Sequence, residues 1–278
     1  RALARDPEQA AGRSMIRLLV NSVIAVMAVL LVAGLIALLA GRTLFAERGV
    51  PEIHSVRDDL EASHILFVFA HPDDEILVTE LITRAVEEGI RVTTLTATRG
   101  EAGTQYPPIV DQAWLGVVRE GELRRHGFAL GIERQIVLGL RDGGVSDTPD
   151  GELADQVRAV ISDVRPDLVV SFHPASAISL HPDHMAMGRA ARSAAADLPV
   201  LHVLGPRPGF RRFGGENQRH VADLQPDPDL ALDADPRLKL RAWRIHQSQT
   251  RYIAGTTGLP AWVLYSIWRQ EYYAWADE

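Results

Sequence analysis

Two short segments of the sequence concentrate the side chains that bind metals and move protons. The first is His71–Glu75 (HPDDE) and the second is His181–His184 (HPDH). Imidazole and carboxylate groups form a ligand set suited to Zn²⁺ and similar divalent ions. A catalytic zinc site needs three protein ligands and an open position for water. Two ligands from the first segment and one from the second would meet that need and leave other groups for proton transfer.

Each segment alone also has an ordinary structural interpretation. Asp73 or Asp74 could N-cap the helix that follows, because the helix dipole favours acids at that end. The Pro-Asp pair of the second segment is common in turns. The chain has no cysteine, so thiolate ligands and thiol nucleophiles are excluded, and a metal site must use His, Asp and Glu. Taken together, the two segments favour a metal-dependent site.

Each segment follows a run of residues that is typical of a buried strand. His64–Ala70 (HILFVFA) and Asp167–Phe172 (DLVVSF) are continuously apolar, as strands covered on both faces are. Other strands are predicted at 90–97, 134–138 and 200–204, with helices at 76–88, 115–130, 153–164, 185–196 and 237–249. This alternation predicts an α/β, Rossmann-like, mainly parallel sheet with helices on both faces. Ligands of such sheets bind at the carboxyl ends of the strands.

Two later segments carry weaker patterns. Residues 205–236 are rich in Pro, Gly and Asp, and we expect them to form a long loop. Residues 261–275 are rich in Trp and Tyr, and the simplest interpretation is a helix that packs on the sheet.

The N-terminal part of the chain has a different composition. Leu18–Ala40 contains 23 residues and no charge, enough to cross a hydrocarbon core of about 30 Å as a helix. A cleavable signal peptide is an alternative, although its apolar region is usually about 7–15 residues. A buried core helix is seldom apolar on every face. The sequence therefore predicts a tail (1–17), a single membrane-spanning helix (18–40), a linker (41–62) and an α/β domain (63–278), and leaves the membrane side of that domain open.

The charge distribution limits the partners. The whole chain has a net charge of −7, and the part after residue 42 has a net charge of −10. An acidic domain is a poor candidate for binding a phosphate backbone, so no nucleic acid is expected as a partner. The expected partners are the lipid bilayer, through residues 18–40, and the substrate.

The two segments together resemble a known family. AHPDDE (Ala70–Glu75) with HPDH is similar to the LmbE-like, or PIG-L, family of metal-dependent de-N-acetylases, and the resemblance extends from about His64 to about Gln249. Its further matches are Thr98–Gly103 (TRGEAG), Arg119 with Glu122 and Leu123, Asp142 in LGLRDG, and His246–Gln249 (HQSQ).

The resemblance implies a role for each matching residue. His71, Asp74 and His184 would bind Zn²⁺ or another divalent metal. Asp73 would be the general base; His181 would stabilise the oxyanion or protonate the leaving amine, with Asp183 orienting its ring. Arg119 and Asp142 would contact the sugar, and Glu101 would shape the same pocket.

The resemblance also implies an activity, the removal of the N-acetyl group from an N-acetylglucosamine-containing glycoconjugate. The predicted anchor favours a lipid-linked substrate, because it confines the enzyme to the membrane surface. One alternative is an amidase that cleaves a larger sugar-linked amide. Another is a non-catalytic, membrane-tethered sugar-binding module, which would have no need of the base Asp73.

Overall fold

The structure, a computed structural model, describes residues 7–276, with side chains from Met15 onward. The chain divides into two compact units, Arg1–Thr43 and Leu44–Glu278. Helix α1 (Pro7–Phe45) makes up the described part of the first unit. Within α1, the 31-residue stretch Met15–Phe45 contains 18 consecutive residues with a mean hydropathy of 3.1, so that by length and composition it could cross a membrane. The predicted span 18–40 lies inside this stretch, and residues 1–6 of the predicted tail lie outside the described residues.

The second unit alternates strands and helices. Its strands are β1 (His64–Phe69), β2 (Arg91–Thr98), β3 (Arg134–Leu140), β4 (Leu168–Phe172), β5 (Val200–Leu204), β6 (Leu230–Asp233) and β7 (Gln270–Trp275). Its helices are α2 (Val56–Asp59), α3 (Thr79–Glu87), α4 (Leu115–Leu130), α5 (Asp150–Val164), α6 (Pro182–Ala195), α7 (Arg207–Phe213), α8 (Glu216–Leu224), α9 (Pro236–Ile245), α10 (Tyr252–Thr257) and α11 (Ala261–Ile267). Short 3₁₀ turns are formed by Asp74–Val78, Gln112–Trp114, Val145–Asp147 and Gln247–Gln249.

The strands form one sheet in the order β3-β2-β1-β4-β5-β7-β6. The first five of these strands are parallel, and β7 is antiparallel to both of its neighbours. The strand order reverses between β1 and β4, and right-handed crossovers then carry the two groups of helices to opposite faces. Every residue of β1 and of β4 is buried, as expected for strands covered on both sides. The prediction of a mainly parallel α/β sheet is confirmed.

Two local predictions are wrong. The expected loop 205–236 contains α7, α8 and β6. The expected C-terminal helix ends at Ile267, and residues 270–275 form β7, which pairs with β5 and β6. Tyr272 and Tyr273 are buried there, at 1% and 0% exposure. Neighbouring strands bury these two rings on opposite faces of the sheet, and that pairing overrides the helical interpretation.

The predicted linker 41–62 is packed into the second unit from Leu44 onward. Ile53 and Val56 are buried, because they join the apolar core under the sheet. Glu52 forms a parallel β-bridge with Ala231. The folded domain therefore begins about twenty residues before the predicted boundary at residue 63.

Helix α6 approaches β4 closely because residue 188 is glycine. A Cβ atom at Gly188 would lie 2.4 Å from the carbonyl oxygen of Phe172, the last residue of β4. The ring of Phe172 stacks on His184, which lies one turn earlier on α6, with centroids 4.3 Å apart. The position of α6 on the sheet therefore fixes the position of a predicted metal ligand.

We expect Gly188→Ala to lower the free energy of unfolding by about 1–3 kcal/mol, since a methyl group would force helix and strand apart. Gly121→Ala is the matched control, because Gly121 lies in α4 with no heavy atom within 4 Å of the added carbon. It should be neutral or stabilise by up to about 1 kcal/mol, through helix propensity. Urea unfolding of the detergent-solubilised chain measures both. Equal effects of the two substitutions would contradict the close packing.

Candidate active site

The candidate site lies at the carboxyl ends of β1 and β4, where the strand order reverses. The first segment follows β1, and the second leads into α6 after β4. The two segments meet, since Nδ1 of His71 lies 2.9 Å from Nε2 of His184. The same Nε2 atom is 3.3 Å from Oδ1 of Asp74. The structure thus brings together the three residues that were predicted to bind metal.

The three side chains fit a divalent cation. Ligand atoms about 2.0–2.2 Å from a tetrahedral ion lie about 3.3 Å from one another. Nε2 of His184 lies 2.9 Å from Nδ1 of His71 and 3.3 Å from Oδ1 of Asp74. Nδ1 of His71 is 3.9 Å from the other oxygen of Asp74, Oδ2. Two imidazole nitrogens and a carboxylate are also the donor types that a zinc ion accepts.

Neighbouring polar groups orient both imidazoles. Nε2 of His71 lies 3.0 Å from Oδ1 of Asp142 and 3.4 Å from Oδ2 of Asp183. Burial alone would lower the pKa of His71, but these carboxylates and the charge of Asp74 raise it to about 10. On the other ring, Nδ1 of His184 lies 3.1 Å from Oγ of Ser179. Metal-binding histidines commonly use their second nitrogen in this way, which fixes the ring and its tautomer.

Asp73 and Asp74 are buried acids with shifted protonation. Burial raises the pKa of each to about 6; the charge of Asp74 adds to the rise in the pKa of Asp73, and the charge of Glu75 adds to that of Asp74. Arg119 opposes the shift of the pKa of Asp73, and His71 opposes that of Asp74. A carboxylate whose pKa lies near neutrality is suited to accept a proton during catalysis.

Asp73 has an unusual backbone conformation. Its φ of 98° and ψ of −14° lie in the left-handed region, which costs a non-glycine residue roughly 1–3 kcal/mol. Its Oδ2 atom forms an ion pair with Arg119 at 3.1 Å, and its side chain is 16% exposed. The conformation turns the chain sharply between β1 and the 3₁₀ turn, so that consecutive carboxylates point in different directions.

His181 lies at the start of α6 and is exposed. Its Nδ1 atom accepts a hydrogen bond of 3.3 Å from the backbone N–H of Asp183, as an N-cap. The neutral ring therefore carries its proton on Nε2. His181, His71 and His184 each offer a ring nitrogen within 4.8 Å of the others. Burial and the charge of His71 lower the pKa of His181, so that the neutral ring is the form present near pH 7.

Asp183 contacts the site in a different way from the one expected. Its carboxylate accepts hydrogen bonds from the backbone N–H groups of Gly143 (2.9 Å) and Ser146 (3.0 Å). Its remaining close contact is with His71. The backbone N–H of Asp183 therefore orients the His181 ring, and the carboxylate of Asp183 orients the His71 ring.

Comparison with known proteins identifies the family. Residues 66–195 match the family described as PIG-L: GlcNAc-PI de-N-acetylase. Over 191 residues, the chain is 34% identical to the probable N-acetyl-alpha-D-glucosaminyl L-malate deacetylase 2 of Bacillus anthracis, which covers 67% of this chain and 81% of that protein. The chain belongs to the PIG-L family.

Two further likenesses agree with this assignment. The 1D-myo-inositol 2-acetamido-2-deoxy-alpha-D-glucopyranoside deacetylase of Mycolicibacterium gilvum is 34% identical over 208 residues, which cover 63% of this chain and 69% of that protein. The solved structure of N,N'-diacetylchitobiose deacetylase from Pyrococcus horikoshii matches with a TM-score of 0.55 and 20% identity, over 80% of this chain and 90% of that one. The structural match shows that the PIG-L chain shares the fold of that enzyme.

The residues predicted to contact the sugar lie beside the candidate metal ligands of this PIG-L chain. Arg119 is 5% exposed and donates to the carbonyl oxygens of Gly100 (3.0 Å) and Pro72 (2.6 Å). Asp142 is 8% exposed, and its backbone N–H donates to Oε1 of Glu101 at 2.9 Å. Among the described residues, Nε of Arg119 and Oε2 of Glu101 are buried without a hydrogen-bond partner. Contact of the three residues with a sugar stays a prediction.

A buried polar stripe on α4 was not identified from the sequence. Arg119, Glu122 and His126 are spaced i, i+3 and i+7, so that they share one face of the helix, and each is at most 5% exposed. Arg119 contacts Asp73, both carboxylate oxygens of Glu122 accept hydrogen bonds from Ser248, and His126 contacts Glu75. His126 lies outside the matches to the family. Its helical spacing from the polar residues Arg119 and Glu122 was the one sequence pattern that could have indicated its role.

Two tyrosines near the site also lie outside the motifs that were recognised in the sequence. Tyr106 and Tyr252 are 40% and 42% exposed, and the backbone N–H of Arg251 donates to the carbonyl oxygen of Tyr106 at 2.9 Å. Burial and the nearby charges of Asp73 and Asp74 raise the pKa of Tyr252. These rings are candidates for contact with a substrate.

The contacts of Asp142 with His71 predict that it supports metal binding by orienting the His71 ring. We expect Asp142→Asn to weaken metal binding about 10–100-fold, because an amide orients His71 less well than a carboxylate does. At saturating metal, KM for an acetylated sugar should stay unchanged. Metal-buffered titrations and initial rates measure the two effects. Unchanged metal affinity together with a raised KM would instead support the sugar contact that the sequence predicts.

Proposed function

We propose that this chain is a zinc-dependent hydrolase that removes the N-acetyl group from an N-acetylglucosamine-containing glycoconjugate. The observation that carries the proposal is the position of Asp73. Asp73, whose carboxylate pairs with Arg119, directly precedes Asp74, and His71 and His184 offer facing ring nitrogens beside them. Family membership supports the same reaction, since the relatives are named as deacetylases of N-acetylglucosaminyl compounds.

The reaction joins water to an amide and yields acetate and an amine. A divalent ion at His71, Asp74 and His184 would polarise the amide carbonyl and acidify a water molecule. Asp73 accepts a proton from that water as it attacks the carbonyl carbon. His181 presents Nε2–H, which can donate to the oxygen as negative charge develops on it. Asp73 then passes this proton to the amide nitrogen, the C–N bond breaks, and the amine and acetate leave.

The relatives suggest which part of the substrate is recognised. One is named for a malate conjugate and another for an inositol conjugate, and both names contain an acetylated glucosamine. We infer that this chain recognises the acetamido sugar and that the attached group differs between relatives. Tyr106 and Tyr252 are partly exposed near the site, and one face of the Tyr252 ring stacks on Trp243, so their remaining aromatic surface could pack against the apolar face of a sugar ring.

We further propose that α1 anchors the enzyme in a membrane and that its glycoconjugate is lipid-linked. The support is the helix itself, whose apolar side chains from Met15 to Leu39 are exposed. A tethered enzyme meets lipid-linked substrates at the same surface. A cleaved signal sequence is the competing interpretation of this helix.

The anchor predicts the behaviour of the mature protein. In the cell of origin, the chain should resist extraction with alkaline carbonate and should be released by detergent. Intact-mass measurement should find the helix present in the membrane fraction. A mature protein that lacks residues 15–45 and is extracted with carbonate would support the signal sequence and contradict the anchor.

If Asp73 is the general base, replacing it should lower turnover while the metal stays bound. Asp73→Asn should retain its metal and lower kcat about 100–10,000-fold, because the amide cannot accept the proton of water. Asp111→Asn, at an exposed acid outside the site, is the control and should behave as wild type. Metal analysis and release of acetate from N-acetylglucosamine conjugates measure these effects. Unchanged turnover in Asp73→Asn would contradict the mechanism.

The leaving acyl group distinguishes the alternatives. Mass spectrometry of the products should find acetate and a free glucosamine from N-acetyl conjugates, and little turnover of conjugates with a larger acyl group. Preferential release of the larger acid would identify an amidase of another class. Tight sugar binding without turnover, with metal bound, would identify a binding module.

A further inference from the structure

A second group of ionisable side chains lies buried behind the candidate base. Glu75, His126 and His246 are 2%, 1% and 0% exposed. They come from three separate parts of the chain: the 3₁₀ turn after β1, helix α4, and the residue after α9. Oε1 of Glu75 lies 2.8 Å from Nδ1 of His126 and 2.7 Å from Nε2 of His246. One carboxylate oxygen is thus held by two imidazoles.

The other oxygen of Glu75 contacts the backbone of Asp73. Oε2 accepts a hydrogen bond of 3.0 Å from the N–H of Asp73, the residue with the left-handed backbone. The carbonyl of Asp73 accepts from the N–H of Ile76 at 3.1 Å. Both peptide groups that flank the strained α-carbon are therefore bonded, one of them to a carboxylate whose position is fixed by the two histidines.

We propose that Glu75, held by His126 and His246, is a positioning residue that keeps Asp73 in its left-handed conformation and so directs the base into the site. The proposal rests on the function proposed above and deepens it. Arg119 contacts the carboxylate of Asp73 from one side. Glu75 fixes its backbone from the other, and together they leave the carboxylate little freedom to rotate away.

The same contacts explain two family matches that touch no metal ligand. His246 begins the HQSQ segment, and Ser248 within it bonds to Glu122 of α4 through its backbone N–H (2.9 Å) and its hydroxyl (2.6 Å). These bonds dock the segment against α4. Nε2 of His246 then lies 3.4 Å from Nδ1 of His126, with Glu75 in contact with both. The C-terminal segment therefore supports the base from behind.

The test compares two replacements of Glu75 in the full-length, metal-loaded enzyme. Glu75→Gln keeps an oxygen that can accept from Asp73 and an amide that can donate to two neutral imidazoles, so it should retain most of the wild-type kcat. Glu75→Leu has a similar volume and no acceptor. It should lower kcat about 100-fold, the usual effect of a misplaced catalytic group, with unchanged KM and unchanged metal content.

Glu271 provides the matched control. It is also a buried acid (3% exposed), accepts from the backbone N–H groups of Glu80 and Leu81, and pairs with Lys239 at 2.6 Å. Glu271→Leu should lower the melting temperature, and kcat per folded enzyme should stay at the wild-type value. If Glu75→Leu and Glu271→Leu have the same kcat per folded enzyme, Glu75 is structural only and the proposal is wrong.

Metal analysis separates the remaining outcomes. A Glu75→Leu enzyme that loses its ion together with its turnover would make Glu75 a support of the metal ligands and overturn the proposal. A second ion per wild-type chain that is lost in His126→Asn would make the group a metal site and overturn it as well. If Glu75→Leu does not fold, His246→Gln takes its place, with the same expected loss of kcat at unchanged KM.

A crystal structure of the Glu75→Leu enzyme decides the proposal without any substrate. We expect Asp73 to leave the left-handed region and its carboxylate to shift. An Asp73 that keeps φ near 98° would overturn the positioning role even if the enzyme were active. If wild type releases no acetate from any conjugate, the proposed function fails, and this structural comparison still decides the role of Glu75.

Discussion

The parallel pairing of β1 with β4 is the constraint on which the site depends. These strands pair in register from Ile65 with Leu168 to Val68 with Ser171, and the hydroxyl of Ser171 donates to the carbonyl oxygen of Val68 at 2.8 Å. Because the strand order reverses here, the loops after the two strands diverge and leave a crevice between them. His71 and His184 are 113 residues apart in sequence, and they meet because each follows one of the paired strands. The sheet thus determines the arrangement of the candidate ligands. The absence of a Cβ at residue 188 lets α6 lie close enough to β4 to hold His184 in place.

The site concentrates negative charge that a protein interior does not ordinarily tolerate. Asp73 and Asp74 are adjacent, and burial raises the pKa of each to about 6. The carboxylates of Asp142 and Asp183 lie on the far side of the His71 ring. Burying a carboxylate without a cationic or hydrogen-bonding partner costs several kcal/mol, so this group of acids is unfavourable for folding by itself. A divalent cation between the ligands would compensate the charge. The left-handed backbone of Asp73 also raises the free energy of the folded state at the same place. Such strained conformations are common at functional sites, where the surrounding fold holds them.

The sequence predicts this architecture where burial leaves a pattern in the residue types. β1 and β4 are covered on both faces, which makes them continuously apolar and recognisable. β7 leaves no such pattern, because its polar and aromatic residues fit a helix as well, and only the pairing with β5 and β6 decides its conformation. The two candidate metal-binding segments are recognisable from residue type alone. The direction in which a carboxylate points is not, since it depends on distant backbone groups. For that reason Asp142, predicted to contact the sugar, and Asp183, predicted to orient His181, both turn their carboxylates toward His71.

Helix α4 shows how the base is coupled to the remainder of the domain. A helix that buries an arginine, a glutamate and a histidine on one face is stable only if each finds a partner, because an unpaired buried polar group costs more than its burial gains. The partners are Asp73 for Arg119, Ser248 for Glu122, and Glu75 for His126. Two of them lie in the turn after β1 and one lies in the C-terminal segment, so α4 can pack fully only when both regions are in place. Those contacts also hold Asp73, the candidate base. Its position therefore depends on residues more than 170 positions away in sequence, such as His246, which contacts Glu75. The position of the candidate base is therefore a property of the whole folded domain, although the residues that would perform the proposed chemistry lie in two short segments.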